Sequence, residues 1–101
     1  MTHCLLTLNL PLALEDEVLD VLLAHPDWTD GFSVVHTEAF GPDVELPTVM
    51  EQIRGRAKRC DVRLSLARER VDLVLAALKQ ACPNPSIGYR IIPVESHGCL
   101  V

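Results

Sequence analysis

The order of two hydrophobic periodicities along this chain limits it to very few folds. Short segments that favour β-strands alternate with longer segments whose apolar residues recur at helical spacing. With right-handed crossovers, the order βαββαβ favours an α+β, ferredoxin-like fold: a four-stranded antiparallel sheet of order 4-1-3-2 with two helices on one face. The predicted strands are Cys4–Leu10, Phe32–Phe40, Cys60–Leu66 and Gly88–Val94, and the predicted helices are Leu14–His25 and Arg68–Cys82.

The predicted strands differ in the arrangement of their apolar residues. The first is almost continuously apolar, interrupted only by Thr7 and Asn9, which favours a central strand covered on both faces. The third alternates apolar and polar residues, as a half-buried strand does. Pro93 restricts the fourth strand to an edge position, because proline donates no backbone hydrogen bond.

Proline and glycine mark the ends of the predicted helices. Pro26 follows His25 and ends the first helix, and Pro83 ends the second. Within the long connection between the second and third strands, Pro47 and Gly55 enclose one or two further helical turns.

Composition indicates a globular protein and argues against one broad class of partners. The 101 residues predict one domain, residues 1–101, in which 49% of residues are apolar and 23% are charged. The net charge of −5 argues against general nucleic-acid binding, which usually needs a basic excess. A cytoplasmic location without membrane insertion is predicted, because no basic leader precedes the apolar N-terminus and no apolar run could cross a bilayer.

A basic run concentrates four of the nine Lys and Arg residues between Arg54 and Arg59. Guanidinium groups match phosphate and carboxylate oxygens in pairs, and a glycine permits close backbone approach. The run therefore predicts an anion or nucleotide site, to which Arg90 of the fourth strand could contribute across a subunit boundary. The alternative is a solvated loop whose cations pair with Glu45, Glu51 or Asp61. The candidate residues are Arg54, Gly55, Arg56, Lys58, Arg59 and Arg90.

The two ends of the chain offer a candidate metal site. In the order 4-1-3-2, the start of the first strand lies beside the end of the fourth, which brings together His3, Cys4, His97 and Cys99. Two imidazoles and two thiols suit zinc or copper. The alternative is that Cys4 is a small buried hydrophobe and the tail is a frayed end. Cys60 and Cys82 are interpreted as packing residues, and all four cysteines as thiols.

Two further features bear on binding. His36 lies in phase with Phe32 and Val34 of the second strand; a hydrogen-bonded strand histidine is expected, and a cation ligand is the alternative.

One face of the predicted sheet has no helix over it. Leu5 with Ile91 or Ile92 could leave apolar area there, which self-association would cover.

Several segments resemble a known family, the domain of unknown function 3240 family of the PII-like superfamily, alongside the CutA-type divalent-cation-tolerance proteins. They are His3–Leu8, Gly31-Phe32, Glu51–Arg56 and Tyr89–Val94, and the resemblance spans essentially the whole chain. It implies a homotrimer with inward-facing sheets, a mobile loop between the second and third strands, and a regulatory role rather than catalysis. It also implies a setting in heavy-metal homeostasis, with a membrane efflux pump as a possible partner. PII signal proteins carry a glycine-rich phosphate loop where this chain has Cys82–Gly88, which puts PII-style nucleotide binding in doubt.

Two functions remain after these observations. The first is a PII-like regulatory protein that binds a metal ion or small anion, and contacts a partner through residues 41–59. The second is a small ferredoxin-like enzyme, such as an isomerase or an acylphosphatase, but no acid/base or nucleophile pair is evident for it. RNA binding is disfavoured, because the two central strands contain no stacking aromatic residues.

Overall fold

The computed structural model describes residues 2–101 and contains four strands, three α-helices and one 3-10 turn. The two longer helices are those predicted from periodicity, and the shortest is the one predicted between Pro47 and Gly55. The elements are β1 (His3–Pro11), the 3-10 turn (Leu12–Leu14), α1 (Glu15–Leu23), β2 (Phe32–Ala39), α2 (Val49–Arg54), β3 (Ala57–Ala67), α3 (Arg68–Ala81) and β4 (Gly88–Val94).

The four strands form one antiparallel sheet in the order β2-β3-β1-β4. This is the predicted order 4-1-3-2 read from the opposite edge, so the fold prediction is confirmed. β1 is central, with Leu6 opposite Leu64 of β3 and Ile91 of β4. Pro93 lies in β4 opposite Cys4, and β4 pairs only with β1 among residues 2–101, as expected for a strand that contains proline.

The core lies between one face of the sheet and the two long helices. Every second residue of β1, from Cys4 to Leu10, is buried in this core, and β3 contributes every second residue from Cys60 to Leu66. Helices α1 and α3 cover this face together, which confirms their predicted placement. Burying each such aliphatic side chain is worth about 1.5–3 kcal/mol. The helical residues that complete the core are Val18, Leu22, Val71, Val74 and Leu78.

The opposite face of the sheet corrects one expectation. β1 was expected to be covered on both faces, but Leu5, Thr7 and Asn9 are only half-buried, because no helix lies over them. Ile92 stands opposite Leu5 on this open face and is 45% exposed. Ile91, the alternative residue, packs against the core instead.

The third strand begins earlier than predicted. It starts at Ala57 rather than Cys60, because Lys58 pairs opposite Glu38 and Arg59 opposite Thr37 of β2. The basic run is therefore not one loop. Arg54 ends α2, while Lys58 and Arg59 already belong to the sheet.

Membrane-spanning helices are not found within residues 2–101, because none of the helices there is both long and apolar enough to cross a bilayer.

Candidate functional site

Helix α2 is fixed in place by a buried carboxylate. Thr48 caps the helix: its Oγ1 accepts a hydrogen bond from the Glu51 backbone N–H (3.1 Å) and donates one to Glu51 Oε1 (2.8 Å). Glu51 Oε2 accepts from the backbone N–H of Lys58 (3.0 Å), and the Glu51 residue is only 7% exposed. The contact with Lys58 joins α2 to the start of β3. Gly55, with φ of 70°, ends the helix in the left-handed conformation that glycine adopts without strain.

A groove of about 380 Å³ lies between α2 and the turn that follows β1. Its floor is apolar and its rim is basic. Such a combination is typical of sites for molecules that carry both an apolar body and a negative charge. The floor is lined by Pro11, Leu12, Ala13, Pro47 and Met50, and the rim by Arg54, Arg56 and Lys58.

The three rim cations differ in their partners. Arg56 forms an ion pair with Glu38, with 2.9 Å between Nη1 and Oε2. Within residues 2–101, the side chains of Arg54 and Lys58 form neither an ion pair nor a hydrogen bond. The alternative prediction, that these cations pair with Glu45, Glu51 or Asp61, is therefore wrong for Arg54 and Lys58. Their charge is therefore available to a ligand.

Arg59 and Arg90 lie away from the groove. The guanidinium of Arg59 donates from Nε to Asn9 Oδ1 (2.7 Å) and from Nη2 to the carbonyl of Ser86 (2.8 Å), so it joins β3 to β1 and to the connection before β4. Asn9 in turn donates from Nδ2 to Asp61 Oδ1 (2.7 Å). Arg90 lies opposite Thr7 on the open face of the sheet. Of the six residues of the predicted anion site, Arg54, Arg56 and Lys58 thus line the groove, while Arg59 and Arg90 lie elsewhere in the sheet.

Gly55 was predicted to let its backbone approach an anion, but it ends helix α2 instead. Its backbone N–H donates to the carbonyl of Glu51 (2.8 Å), and the N–H of Arg56 donates to the same carbonyl (3.3 Å). These donors close the end of α2 and are not directed at a ligand.

The outward face of α2 is apolar. Val49 is 70% exposed and Ile53 is 73% exposed. Val49 and Ile53 are four residues apart, so they lie together on the solvent side of the helix. Apolar residues grouped on a surface helix are typical of an interaction site.

The predicted metal residues come together only in part. The rings of His3 and His97 stack with their centroids 4.1 Å apart, and His3 Nε2 hydrogen-bonds Ser65 Oγ (2.6 Å). Cys4 points to the helix side of the sheet and is buried, because successive strand residues face opposite ways. Cys99 is exposed. Across residues 2–101 there is no cluster of three or more His, Cys, Asp or Glu side chains that could hold a metal ion.

The arrangement of the two histidines does not fit a single ion. A metal binds in the plane of an imidazole, along the lone pair of a ring nitrogen. Stacked rings have roughly parallel planes, here inclined by 27°, so their lone pairs do not converge. The donors of one subunit therefore do not form a zinc or copper site as they are placed.

Three of the thiols are buried, as expected for packing residues. Burial raises the pKa of Cys60 to about 11, and the nearby carboxylates of Glu15 and Asp61 act in the same direction. Burial also raises the pKa values of Cys4 and Cys82. Thiols that stay protonated at neutral pH are poor nucleophiles.

His36 has a partner that the sequence did not reveal. Its Nε2 lies 2.7 Å from Glu15 Oε1, which confirms a hydrogen-bonded strand histidine. Because this contact joins β2 to the first residue of α1, it depends on tertiary packing.

The chain is similar to one protein family and to several solved structures. A family model described as "Protein of unknown function (DUF3240)" matches residues 1–101. A solved DUF3240 family protein from Shewanella baltica OS155 is 22% identical, with a TM-score of 0.77 over 100% of this chain and 99% of that one. No curated protein matches the chain.

Two structures of CPII, a PII-like protein from Thiomonas intermedia K12, are also similar. CPII bound to ADP, AMP and bicarbonate, described as a nitrogen regulatory PII-like protein, is 13% identical with a TM-score of 0.69, covering 99% of this chain and 98% of that one. CPII bound to ADP, AMP and acetate is 13% identical with a TM-score of 0.66, covering 92% and 86% respectively. At these identities the likeness establishes a shared fold.

Proposed function

The chain belongs to the DUF3240 family of proteins of unknown function, and from that premise we propose that it is a small PII-like regulatory protein. It binds a small ligand and a protein partner through residues 41–59, and it has no catalytic activity. CPII, which shares the fold, binds nucleotides and bicarbonate, and this supports a ligand-binding role.

The observation that carries the proposal is the position of α2. One side of this helix presents Val49 and Ile53 to solvent, and its other side borders a groove with two unpaired cations. A ligand in the groove and a partner on the outer face would contact the same six-residue helix. Ligand binding that changes the position or order of α2 would then change partner binding.

The proposal includes a homotrimer with inward-facing sheets, in the cytoplasm. The open face supports it, because Leu5 and Ile92 form an apolar patch there that neighbouring subunits would cover. In the family setting of heavy-metal efflux, the partner would be the cytoplasmic part of an efflux pump. The proposal also includes a zinc or copper ion that bridges subunits and is bound by His3, His97 and Cys99. The stacked tail would have to move for these residues to converge on the ion. Cys4 is left out of this site because it is buried on the other face of the sheet.

Photo-crosslinking in cells tests the partner surface. A crosslinking residue at Gln52, on exposed α2, should capture one protein reproducibly. The double variant Val49→Ser, Ile53→Ser should abolish capture, whereas Leu73→Ser, which alters an equally apolar residue 60% exposed on α3, should not. Equal capture by all three proteins would contradict the proposal.

Ligand titration tests the sensing role. Zinc, Cu(I), ADP, AMP and bicarbonate should give at least one saturable isotherm, and saturation should slow hydrogen exchange in residues 41–59. A panel without any saturable binding would exclude these metal ions, nucleotides and bicarbonate as the signal.

Elemental analysis tests the bridging metal. Protein purified without a histidine tag should contain zinc or copper at less than one ion per chain, and the double variant His97→Ala, Cys99→Ser should lose it. Metal content that is unchanged in the variant would exclude these ligands.

A further inference from the structure

We infer that the groove beneath α2 binds an amphiphilic organic carboxylate: an apolar body of several carbons with one anionic end. This inference names the ligand of the proposed regulatory site and rests on that function for its biological meaning. The binding itself follows from the lining of the groove, and it can be measured without a partner.

The floor of the groove determines the apolar part of the ligand. It is formed by two prolines, Leu12, Ala13 and Met50, and its volume of about 380 Å³ lies in the range of small-molecule sites. Methionine adapts its shape to different apolar partners, because its side chain is unbranched and flexible. A ligand without an apolar body would leave this surface in contact with water.

The rim determines the charge of the ligand. The lining contains three cations and one carboxylate, Glu51, whose two oxygens are already engaged by Thr48 and Lys58. Glu38 is paired with Arg56, so Arg54 and Lys58 remain as cations without a counter-charge. Glu15, at the start of the adjoining α1, is held by His36. The charged lining residues together with Glu38 carry three positive and two negative charges, which leaves one net positive charge at the rim.

The backbone argues against an inorganic anion or a phosphate as the ligand. Phosphate sites usually present several free backbone N–H groups to the oxygens. Here the N–H groups of Gly55 and Arg56 donate to Glu51, and that of Lys58 donates to the Glu51 carboxylate. The available donors are the side chains of Arg54 and Lys58, in a lining that is otherwise largely apolar. They match the two oxygens of a carboxylate whose apolar end lies in the groove.

Occupancy of the groove would affect the outer face of α2. Met50 and Arg54 line the groove, while Val49 and Ile53 occupy the solvent side of the same helix. A ligand that contacts Met50 and Arg54 restricts the motion of α2 against the turn after β1, and so fixes the outward face that the partner would recognise.

Isothermal titration calorimetry with octanoate tests this inference on the purified full chain. We expect saturable octanoate binding that weakens with rising salt, since the charges at the rim are exposed. Octanamide keeps the chain and removes the charge, and acetate keeps the charge and removes the chain. Both should bind at least tenfold more weakly than octanoate, and so should inorganic phosphate.

Variants locate the binding to the groove. Arg54→Gln with Lys58→Gln should weaken octanoate binding at least tenfold, and Met50→Gln should also weaken it. Arg63→Gln removes a cation from the open face of the sheet and should change affinity by less than twofold. Chemical shifts of Leu12 and Met50 should move on titration.

Three results would overturn the inference: no saturable octanoate binding, phosphate binding as tight as octanoate binding, or an equal loss in the Arg63→Gln variant. These outcomes can be separated from failure of the proposed function. Crosslinking through α2 without octanoate binding would refute this inference alone. Octanoate binding with no partner captured through α2 would refute the partner surface alone.

Discussion

At the scale of single residues, the buried carboxylate of Glu51 supports the candidate site more than any of the cations around it. It is 7% exposed, and each of its oxygens accepts one hydrogen bond from a neighbouring segment. A buried carboxylate is costly unless it is hydrogen-bonded, and these contacts meet that condition. The bond from the Lys58 N–H also joins α2 to β3, so the position of the helix depends on this one side chain.

Replacing Glu51 by alanine should loosen α2. The Lys58 N–H and the Thr48 hydroxyl would lose their acceptor, and we expect the free energy of unfolding to fall by about 1–3 kcal/mol. Glu51→Gln keeps an oxygen for Lys58 and should lose less than half as much. Urea denaturation and hydrogen exchange of residues 49–54 measure both effects. Alanine and glutamine variants with the same stability would contradict this role.

Cys60 should make stability depend on alkaline pH. Its pKa is about 11 in the folded chain, against an ordinary value of 9.0, first because it is buried and second because of Glu15 and Asp61. Between these values the unfolded chain releases the proton while the folded chain retains it, so stability falls as pH rises, by up to about 1.4 kcal/mol per pH unit. Below pH 9 the stabilising contribution of the protonated Cys60 thiol is fully present.

Urea denaturation at pH 7.5, 9, 10 and 11 tests the Cys60 prediction. Cys60→Ala lacks the thiol, so its free energy of unfolding should fall less steeply with rising pH than that of the wild-type protein. The difference between the two free energies should therefore become smaller as pH rises. The variant serves as the control for other groups that titrate in this range. Parallel curves would show that the thiol does not titrate as expected.

At the scale of elements, periodicity located the strands and helices better than it located their functional residues. β4 has the predicted bounds Gly88–Val94, because Gly88 and Pro93 mark it in the sequence. The start of β3 was missed, because Ala57, Lys58 and Arg59 carry no apolar alternation and join the sheet only through pairing with β2. Such pairing is a tertiary contact, which a single sequence does not reveal.

The candidate site was predictable only in part for the same reason. Its charge was evident from the run beginning at Arg54, and its short helix from Pro47 and Gly55. The hydrogen bonds of Arg59 with Asn9 and Ser86 were not, because these residues lie 50 and 27 positions away in the chain. The approach of the Pro11–Ala13 turn to α2, which creates the groove, likewise has no local signal.

Gly55 provides a test of the conformation that ends α2. Its φ of 70° is unfavourable for other residues, and a Cβ added there meets no atom within 4 Å, so the cost is that of the backbone alone. Gly55→Ala should lower the free energy of unfolding by about 1–2 kcal/mol, and Gly55→Asn by less, since asparagine tolerates this region. Thermal unfolding measures both.

Gly98→Ala is the matched control for Gly55. The added Cβ also meets no atom within 4 Å, and the backbone there has no positive φ. We expect the melting temperature of this variant to be that of the wild-type protein. A loss at Gly55 no larger than at Gly98 would contradict the role of the left-handed turn.

At the scale of the whole molecule, the sheet is covered by helices on one side only. The uncovered side carries Leu5 and Ile92 among polar residues such as Thr7, Arg63 and Arg90. Such a surface suits association with copies of the chain, because an apolar centre is surrounded by groups that can form hydrogen bonds.

Ile92→Lys should dissociate the proposed trimer. A charge placed at the apolar patch would be buried without a partner between subunits, which is strongly unfavourable. Light scattering after size-exclusion chromatography should give three chain masses for the wild-type protein and one for the variant. Leu73→Lys, on the exposed side of α3, should leave the mass unchanged. A wild-type protein of one chain mass at micromolar concentration would refute the trimer.

The central position of β1 has a consequence for the newly synthesised chain. β1 leaves the ribosome before the other three strands, yet its two neighbours in the sheet, β3 and β4, are the last two of the four strands to be made. Adjacent β2 and β3 can form a hairpin early, whereas the most apolar strand must wait for partners that are distant in the chain. The complete sheet can therefore close only once Val94 has emerged, and until then Leu6 and Leu8 lack their partners in β4.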